Sequence, residues 1–183
     1  RPLDEALNRA LAGTYPPGST AKVVTADALL TAGTTPETPI TCAETVEAGG
    51  RRFRNFESSS LGTVPFRTAF AESCNTAMIT AAAELAPADM VAAAERFGFN
   101  TEYSVGLTTE GGSYPEPTDP TDQAAAAIGQ GRIVASPLHM ATVAGTIIDG
   151  TWEPPVLLPD HPDEDAPAPT EIDPGNRDTL RSL

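Results

Sequence analysis

Residues 16–22, Pro16-Pro17-Gly18-Ser19-Thr20-Ala21-Lys22, constrain this chain more tightly than any other stretch. Proline pre-sets φ and glycine tolerates almost any φ, so the chain turns sharply here. Val23, Ala26, Leu29 and Leu30 then recur at helical spacing, which predicts a helix starting near Ser19 and stopping near Gly33. On that helix Ser19 and Lys22 stand three residues apart, one turn apart on one face. The same turn carries unpaired N–H groups and the positive end of the helix dipole. Two readings follow from the residues. Ser19 is an N-cap beside a solvated lysine, or it is a nucleophile whose neighbour accepts its proton and whose backbone N–H receives an oxyanion. Lys22 is the only lysine among ten arginines and nine serines, so chance would place it three after a serine roughly one time in twenty.

The bulk of the chain narrows the classes open to it. At 183 residues, 40% of them hydrophobic, it suits one domain with a real core, and no apolar run reaches the length of a membrane span. A formal charge of −14 argues against a nucleic-acid or anionic-membrane surface. No signal peptide or lipidation motif is visible. Arg1 is not an initiator methionine, so the sequence is expected to begin at a processing or cloning boundary, with any anchor outside it. Cys42 and Cys74, with only His139 and His161 beside them, do not make a metal set. On the residues alone they are either two free buried thiols or one disulfide.

Most of the remaining pattern is helical. Leu3, Leu7, Ala10 and Leu11 mark a short amphipathic helix ended by Gly13. Ile40-Thr41-Cys42 reads as a short extended piece, and residues 45–48 and 51–54 flank Gly49-Gly50 as a hairpin. Helical signals resume from Thr63 through Phe66 and Phe70, and again through Met78 and Leu85. Pro87 opens a further helix that stops at Gly98. Residues 100–119 read as a long irregular loop, Thr121 to Ile128 as an alanine-rich helix, and Ser136-Pro137 as the start of a helix closed by Gly150. Residues 151–174 form an acidic, proline-rich stretch expected to lie extended on the surface, and Leu180 and Leu183 are spaced like the opening of another helix. The expectation is a helical lobe with one hairpin and little sheet.

Three local patterns line up in order: Ser19-Thr20-Ala21-Lys22, Ser73-Cys74-Asn75, and Ile128-Gly129-Gln130-Gly131 followed by Ser136-Pro137-Leu138-His139-Met140-Ala141. Together with Tyr15-Pro16-Pro17-Gly18 they resemble the active-site segments of penicillin-binding transpeptidases, the serine D,D-transpeptidase and β-lactamase-like superfamily. The resemblance runs over roughly residues 8 to 155 and is nearest to the class B-like enzymes of actinobacteria. It implies an α+β family fold, of which this chain would be mostly the α part: residues 1–183 as a partial transpeptidase domain, with most of the central sheet missing.

By resemblance, Ser19 matches the acylated nucleophile, Lys22 the residue that takes its proton, Ser73 the proton shuttle and Asn75 the amide that binds the substrate backbone. The implied partners are a peptidoglycan stem peptide ending in D-alanyl-D-alanine and β-lactam antibiotics, with no cofactor, no metal and no nucleic acid. The implied location is outside the cytoplasmic membrane, held there by segments not in this chain. An oxidising location favours the disulfide reading of Cys42 and Cys74. A D,D-carboxypeptidase, a β-lactamase or a penicillin-sensing module without turnover are the alternatives. Two departures stand out. Ala21 replaces a phenylalanine usual in the family, and the Lys-Thr-Gly motif is absent because Lys22 is the sole lysine. That motif supplies a cation and the second oxyanion donor, so the chain alone is expected to acylate poorly, unless a separate chain provides the missing part. A Ser-His-Asp triad is the competing chemistry. The arginines at 51, 52 and 54 read as a solvated face and Trp152 as a packing residue.

Overall fold

The helix expected after Ser19 forms in two steps. Gly18–Ala21 is a 3-10 turn, and α1 (Lys22–Thr31) continues from it. In the computed structural model, which describes residues 8–158 and 165–183, α1 is the core helix. Its Val24, Thr25, Ala26, Asp27, Ala28 and Leu29 are all buried, so it has almost no polar face and must be enclosed by other elements.

Those elements follow in chain order: β1 (Pro39–Cys42), β2 (Thr45–Ala48), β3 (Arg51–Arg54), β4 (Gly62–Pro65), α2 (Phe66–Ala71), α3 (Asn75–Ala82), α4 (Pro87–Arg96), β5 (Gly112–Ser113), α5 (Pro120–Ala126), β6 (Val134–Ala135), α6 (Pro137–Asp149), β7 (Thr151–Trp152), β8 (Thr170–Glu171) and α7 (Pro174–Leu180). α4, α3 and α7 pack on α1, and α5 packs on α3. The main core gathers Val24 and Leu29 with Phe66, Met78, Ile79, Met90, Phe97, Phe99, Ile128 and Ile133.

The helix boundaries obey local chemistry. Asp119 caps α5 through the N–H groups of Thr121 and Asp122, Ser136 caps α6 through His139 N–H, and each is followed by proline. Asp173 caps α7 in the same way, so this helix spans Pro174–Leu180 rather than opening near Leu180.

The strands are more numerous than the single expected hairpin. Four antiparallel pairs form, β1–β4, β2–β3, β5–β6 and β7–β8, and none joins another into a wider sheet among the described residues. Only β2–β3, with Val46 opposite Phe53, is joined by a tight two-residue turn among the described residues. Residues 63–65, expected to be helical, are instead strand: Ile40 faces Val64 and Cys42 faces Gly62. Residues 151–174 are pinned at both ends, since Thr151 pairs with Glu171 and Trp152 with Thr170. Trp152 is fully buried, and its indole N–H donates to Thr142 Oγ1 at 2.9 Å, as a packing residue should. The expected helix through Leu3 and Leu7 falls mostly outside the described residues, and Asn8 to Ala12 form hydrogen-bonded turns.

Candidate active site

The turn that carries Ser19 is held from the far end of the chain. Gly18, at φ 57°, donates its N–H to Gly129 O at 2.8 Å, and Tyr15 exchanges both backbone hydrogen bonds with Ala135. Gly129 itself has φ 65°, and a Cβ there would overlap the carbonyl oxygen of Gly18 and crowd Ala21. This gives the Ile128-Gly129-Gln130-Gly131 pattern a physical role: it lets a backbone press directly on the Ser19 turn. Ala21 is buried against that contact, where no larger side chain is needed to close the packing. Ser19 is exposed, and its N–H belongs to the first turn, where backbone donors have no intrahelical acceptor.

One residue beyond this turn, Lys22 is 2% exposed, so the solvated-lysine reading fails. Its Nζ donates to Ser73 O at 2.6 Å, Ser73 Oγ at 3.0 Å and Asn75 Oδ1 at 2.6 Å. The sequence places Ser19 and Lys22 within hydrogen-bond reach of each other. The hydrogen bonds that Lys22 Nζ makes go instead to residues 73–75, since a buried ammonium requires acceptors. Burial lowers the Lys22 pKa to about 8. A neutral fraction of roughly one in ten therefore exists at pH 7.

Ser73 lies on the link between α2 and α3, and Asn75 is the first residue of α3. Ser73 adopts φ 53°, a left-handed conformation uncommon for a non-glycine residue, which turns its carbonyl and hydroxyl together onto Lys22. Asn75 uses both halves of its amide: Oδ1 accepts from Lys22, and Nδ2 donates to Arg54 O at 3.1 Å. Between them Cys74 is joined to Cys42 on β1 by a disulfide, with Cα atoms 6.1 Å apart. Lys22, Ser73 and Asn75 thus meet directly, and Ser19 lies three residues before Lys22 on the exposed turn.

Two further residues complete the surroundings and were not singled out in the sequence. Asn55, 3% exposed, and Thr76, 1% exposed, sit behind residues 73–75. Asparagine just after a strand reads as an ordinary turn residue, so no local signal distinguishes Asn55. His139 takes no part: it is fully buried with its ring 4.4 Å from that of Phe99, and burial lowers its pKa to about 4. His161 lies outside the described residues. Arg51, Arg52 and Arg54 are exposed, Arg52 pairing with Glu47 at 3.3 Å across the hairpin. Among the described residues no group of three or more His, Cys, Asp or Glu side chains is arranged to hold a metal ion.

Comparison with known proteins gives a consistent answer. The family model described as the penicillin-binding protein transpeptidase domain matches residues 3–181. The chain is 35% identical over 164 residues to peptidoglycan D,D-transpeptidase PbpA of Mycolicibacterium smegmatis, covering 86% of this chain and 33% of that protein. It is also 35% identical over 159 residues to PbpA of Mycobacterium tuberculosis, covering 81% of this chain and 32% of that protein. The penicillin G acyl-enzyme complex of penicillin-binding protein A from M. tuberculosis superposes with a TM-score of 0.87 at 28% identity, over all of this chain and 46% of that one. The chain therefore spans about a third of the length of the curated relatives it matches. With nearly every residue inside the family match, and a serine turn, a buried lysine and a Ser-Cys-Asn link assembled at one place, this chain belongs to the penicillin-binding protein transpeptidase domain family.

Proposed function

We propose that residues 1–183 are a partial transpeptidase domain, the nucleophile-bearing part of a serine D,D-transpeptidase that cross-links peptidoglycan stem peptides and is acylated by β-lactams. The observation that carries this reading is the buried Lys22, its pKa lowered to about 8 and its Nζ hydrogen-bonded to Ser73 and Asn75, three residues after the exposed Ser19. Neutral Lys22 has two N–H donors and one lone pair. Ser73 O and Asn75 Oδ1 hold the donors at 2.6 Å, which leaves the lone pair for a hydroxyl proton.

Ser19 Oγ forms a bond to the carbonyl carbon of the penultimate D-alanine as its proton passes to Lys22. The Ser19 N–H is one donor to the resulting oxyanion, and the second comes from an element outside this chain. The carbon–nitrogen bond then breaks, and the departing D-alanine amine takes a proton from Lys22 through Ser73 Oγ. An amine of a second stem peptide attacks the acyl-serine and gives up a proton to neutral Lys22, which returns it to Ser19 Oγ as the ester bond breaks. Asn75 aligns the substrate backbone. The disulfide supports an extracytoplasmic location, because such bonds seldom persist in the cytosol.

A fluorescent penicillin tests this directly. Peptide mapping of the full-length gene product carrying this sequence is expected to find the label on Ser19, and Ser19→Ala to abolish it. Labelling elsewhere, or unchanged labelling of Ser19→Ala, would overturn the reading. A polypeptide of these 183 residues alone is expected to label about 100- to 1000-fold more slowly, the cost of one missing oxyanion donor.

A further inference from the structure

Asn55 occupies an unusual place for an asparagine. It follows β3, where the backbone leaves the hairpin, yet its side chain points inward and is 3% exposed. A primary amide offers two donors and an acceptor with two lone pairs, and burying it without partners costs a few kcal/mol on the order of a lost hydrogen bond each. Here those partners come from three separate segments. Nδ2 donates to Ala43 O and Ser59 O, each at 2.8 Å, and lies 3.3 Å from Thr76 Oγ1. Oδ1 accepts the backbone N–H of Thr76 at 3.0 Å. Thr76 Oγ1 in turn donates to Ala43 O at 2.6 Å. One side chain thus ties the β1–β2 link, the loop after β3 and the first turn of α3 into a single body.

The position of that body matters to the reactive groups. Thr76 directly follows Asn75, whose Oδ1 holds Lys22, and Ser73 is three residues back in its left-handed conformation. Backbone strain of this kind persists only where the surroundings over-determine it. The disulfide anchors Cys74 to β1, and the N–H groups of Ser73 and Cys74 tie the segment back to α2 at Phe70 O and Ala69 O. The Asn55 amide adds the tie on the other side, from the β1–β2 link and the loop after β3 to the Thr76 backbone. The neighbouring Arg54 O, which accepts from Asn75 Nδ2, belongs to the same segment and reinforces the alignment.

We infer that Asn55 is a positioning residue for the proposed acylation: its buried amide sets the Ser73–Asn75 acceptors at the geometry that orients Lys22. This rests on the transpeptidase reading given above. Asn55 does not touch Ser19 or Lys22, so its effect on the chemistry passes through residues 73–76.

The test uses the full-length gene product carrying this sequence, with Asn55→Ala, Asn55→Asp, Thr76→Val and Thr76→Ser variants. Acylation by a fluorescent penicillin is followed against pH, and each variant's folded fraction is measured by thermal melting. Asn55→Ala is expected to acylate on the order of 100-fold more slowly, the effect of misplacing a catalytic group by about 1 Å. Its pH–rate midpoint is expected to move upward, as water reaching Lys22 relieves the desolvation that lowers its pKa. Asn55→Asp keeps the acceptor for Thr76 N–H but loses the donors, and is expected to be impaired as well. Thr76→Ser, which keeps the hydroxyl bonded to Ala43 O, is expected to stay near wild type while Thr76→Val does not.

A folded Asn55→Ala that acylates within about twofold of wild type, with the same pH midpoint, would overturn the inference and leave the transpeptidase reading intact. If Asn55→Ala does not fold, Thr76→Val and Thr76→Ser decide alone: equal rates and midpoints in the two overturn the inference. A wild-type protein that never labels at Ser19 overturns the transpeptidase reading, and this inference with it.

Discussion

At Lys22 two effects oppose each other. Removing an ammonium from water disfavours its charged form, whereas hydrogen bonds to the Ser73 carbonyl and the Asn75 amide oxygen favour it. The pKa of about 8 shows that desolvation wins, leaving a group that titrates near working pH. Acylation at Ser19 is therefore expected to rise with pH through a single ionisation near 8. Lys22→Ala should remove that ionisation and slow acylation by about 100- to 10,000-fold, read from pH–rate profiles of both proteins. The same shift sets a sign for stability. The folded-state pKa lies below the ordinary lysine value of 10.5, so between the two the unfolded chain binds more protons. The burial penalty is present in full below about pH 8 and is relieved as pH rises toward 10.5, so this group makes stability rise across that window. Ser19, Lys22, Ser73 and Asn75 are legible in the sequence because each belongs to a short recurrent pattern. Asn55 is not, because its importance lies in partners 12 and 21 residues away, Ala43 and Thr76.

Among the elements, helices were easier to anticipate than strands. Asp119, Ser136 and Asp173 each cap a helix through neighbours two or three residues on, so start signals and structure coincide. Residues 63–65 look helical only until their partner is known: β4 exists because β1, some twenty residues earlier, offers it a ladder. The same holds for β7 and β8, which bracket the proline-rich stretch. The disulfide is the covalent counterpart of these long-range pairings, joining β1 to the start of α3 across 32 residues. Replacing both Cys42 and Cys74 by serine is expected to lower stability by about 3–4 kcal/mol in the chain-entropy account. Urea unfolding of the two proteins, compared with wild type under reductant, measures this. A difference below about 1 kcal/mol would show that the loop is already restrained in the unfolded chain.

For the molecule as a whole, the helices around α1 are locked by one buried carboxylate. Asp27 is fully buried and receives Arg96 Nε at 2.9 Å and Nη2 at 2.5 Å from α4, and Asn176 Nδ2 at 2.8 Å from α7. Three helices distant in sequence thus meet five residues after Lys22. Asp27→Ala would remove the carboxylate from a partly buried guanidinium and from the Asn176 amide, leaving Thr31 Oγ1 to both, Ala92 O to Arg96 and the backbone carbonyl of residue 27 to Asn176. It is expected to cost about 3 kcal/mol, measured by chemical unfolding, with Asp27→Asn recovering part of the loss. An unchanged unfolding midpoint would show that water replaces the carboxylate without penalty.

Features whose causes are local can be read along the chain. The sequence places a sharp turn before α1, caps and prolines at the helix starts, and a serine and a lysine one turn apart. It also places Ser73 and Asn75 either side of a cysteine. Only tertiary structure decided where Lys22 points, since its acceptors lie 51 and 53 residues away and burial, not spacing, commits its donors to them. Tertiary structure also decided that Gly129 bears on the Ser19 turn and that Asn55 turns inward. Each depends on backbones meeting across long stretches of chain, and no local pattern of residues records such a meeting.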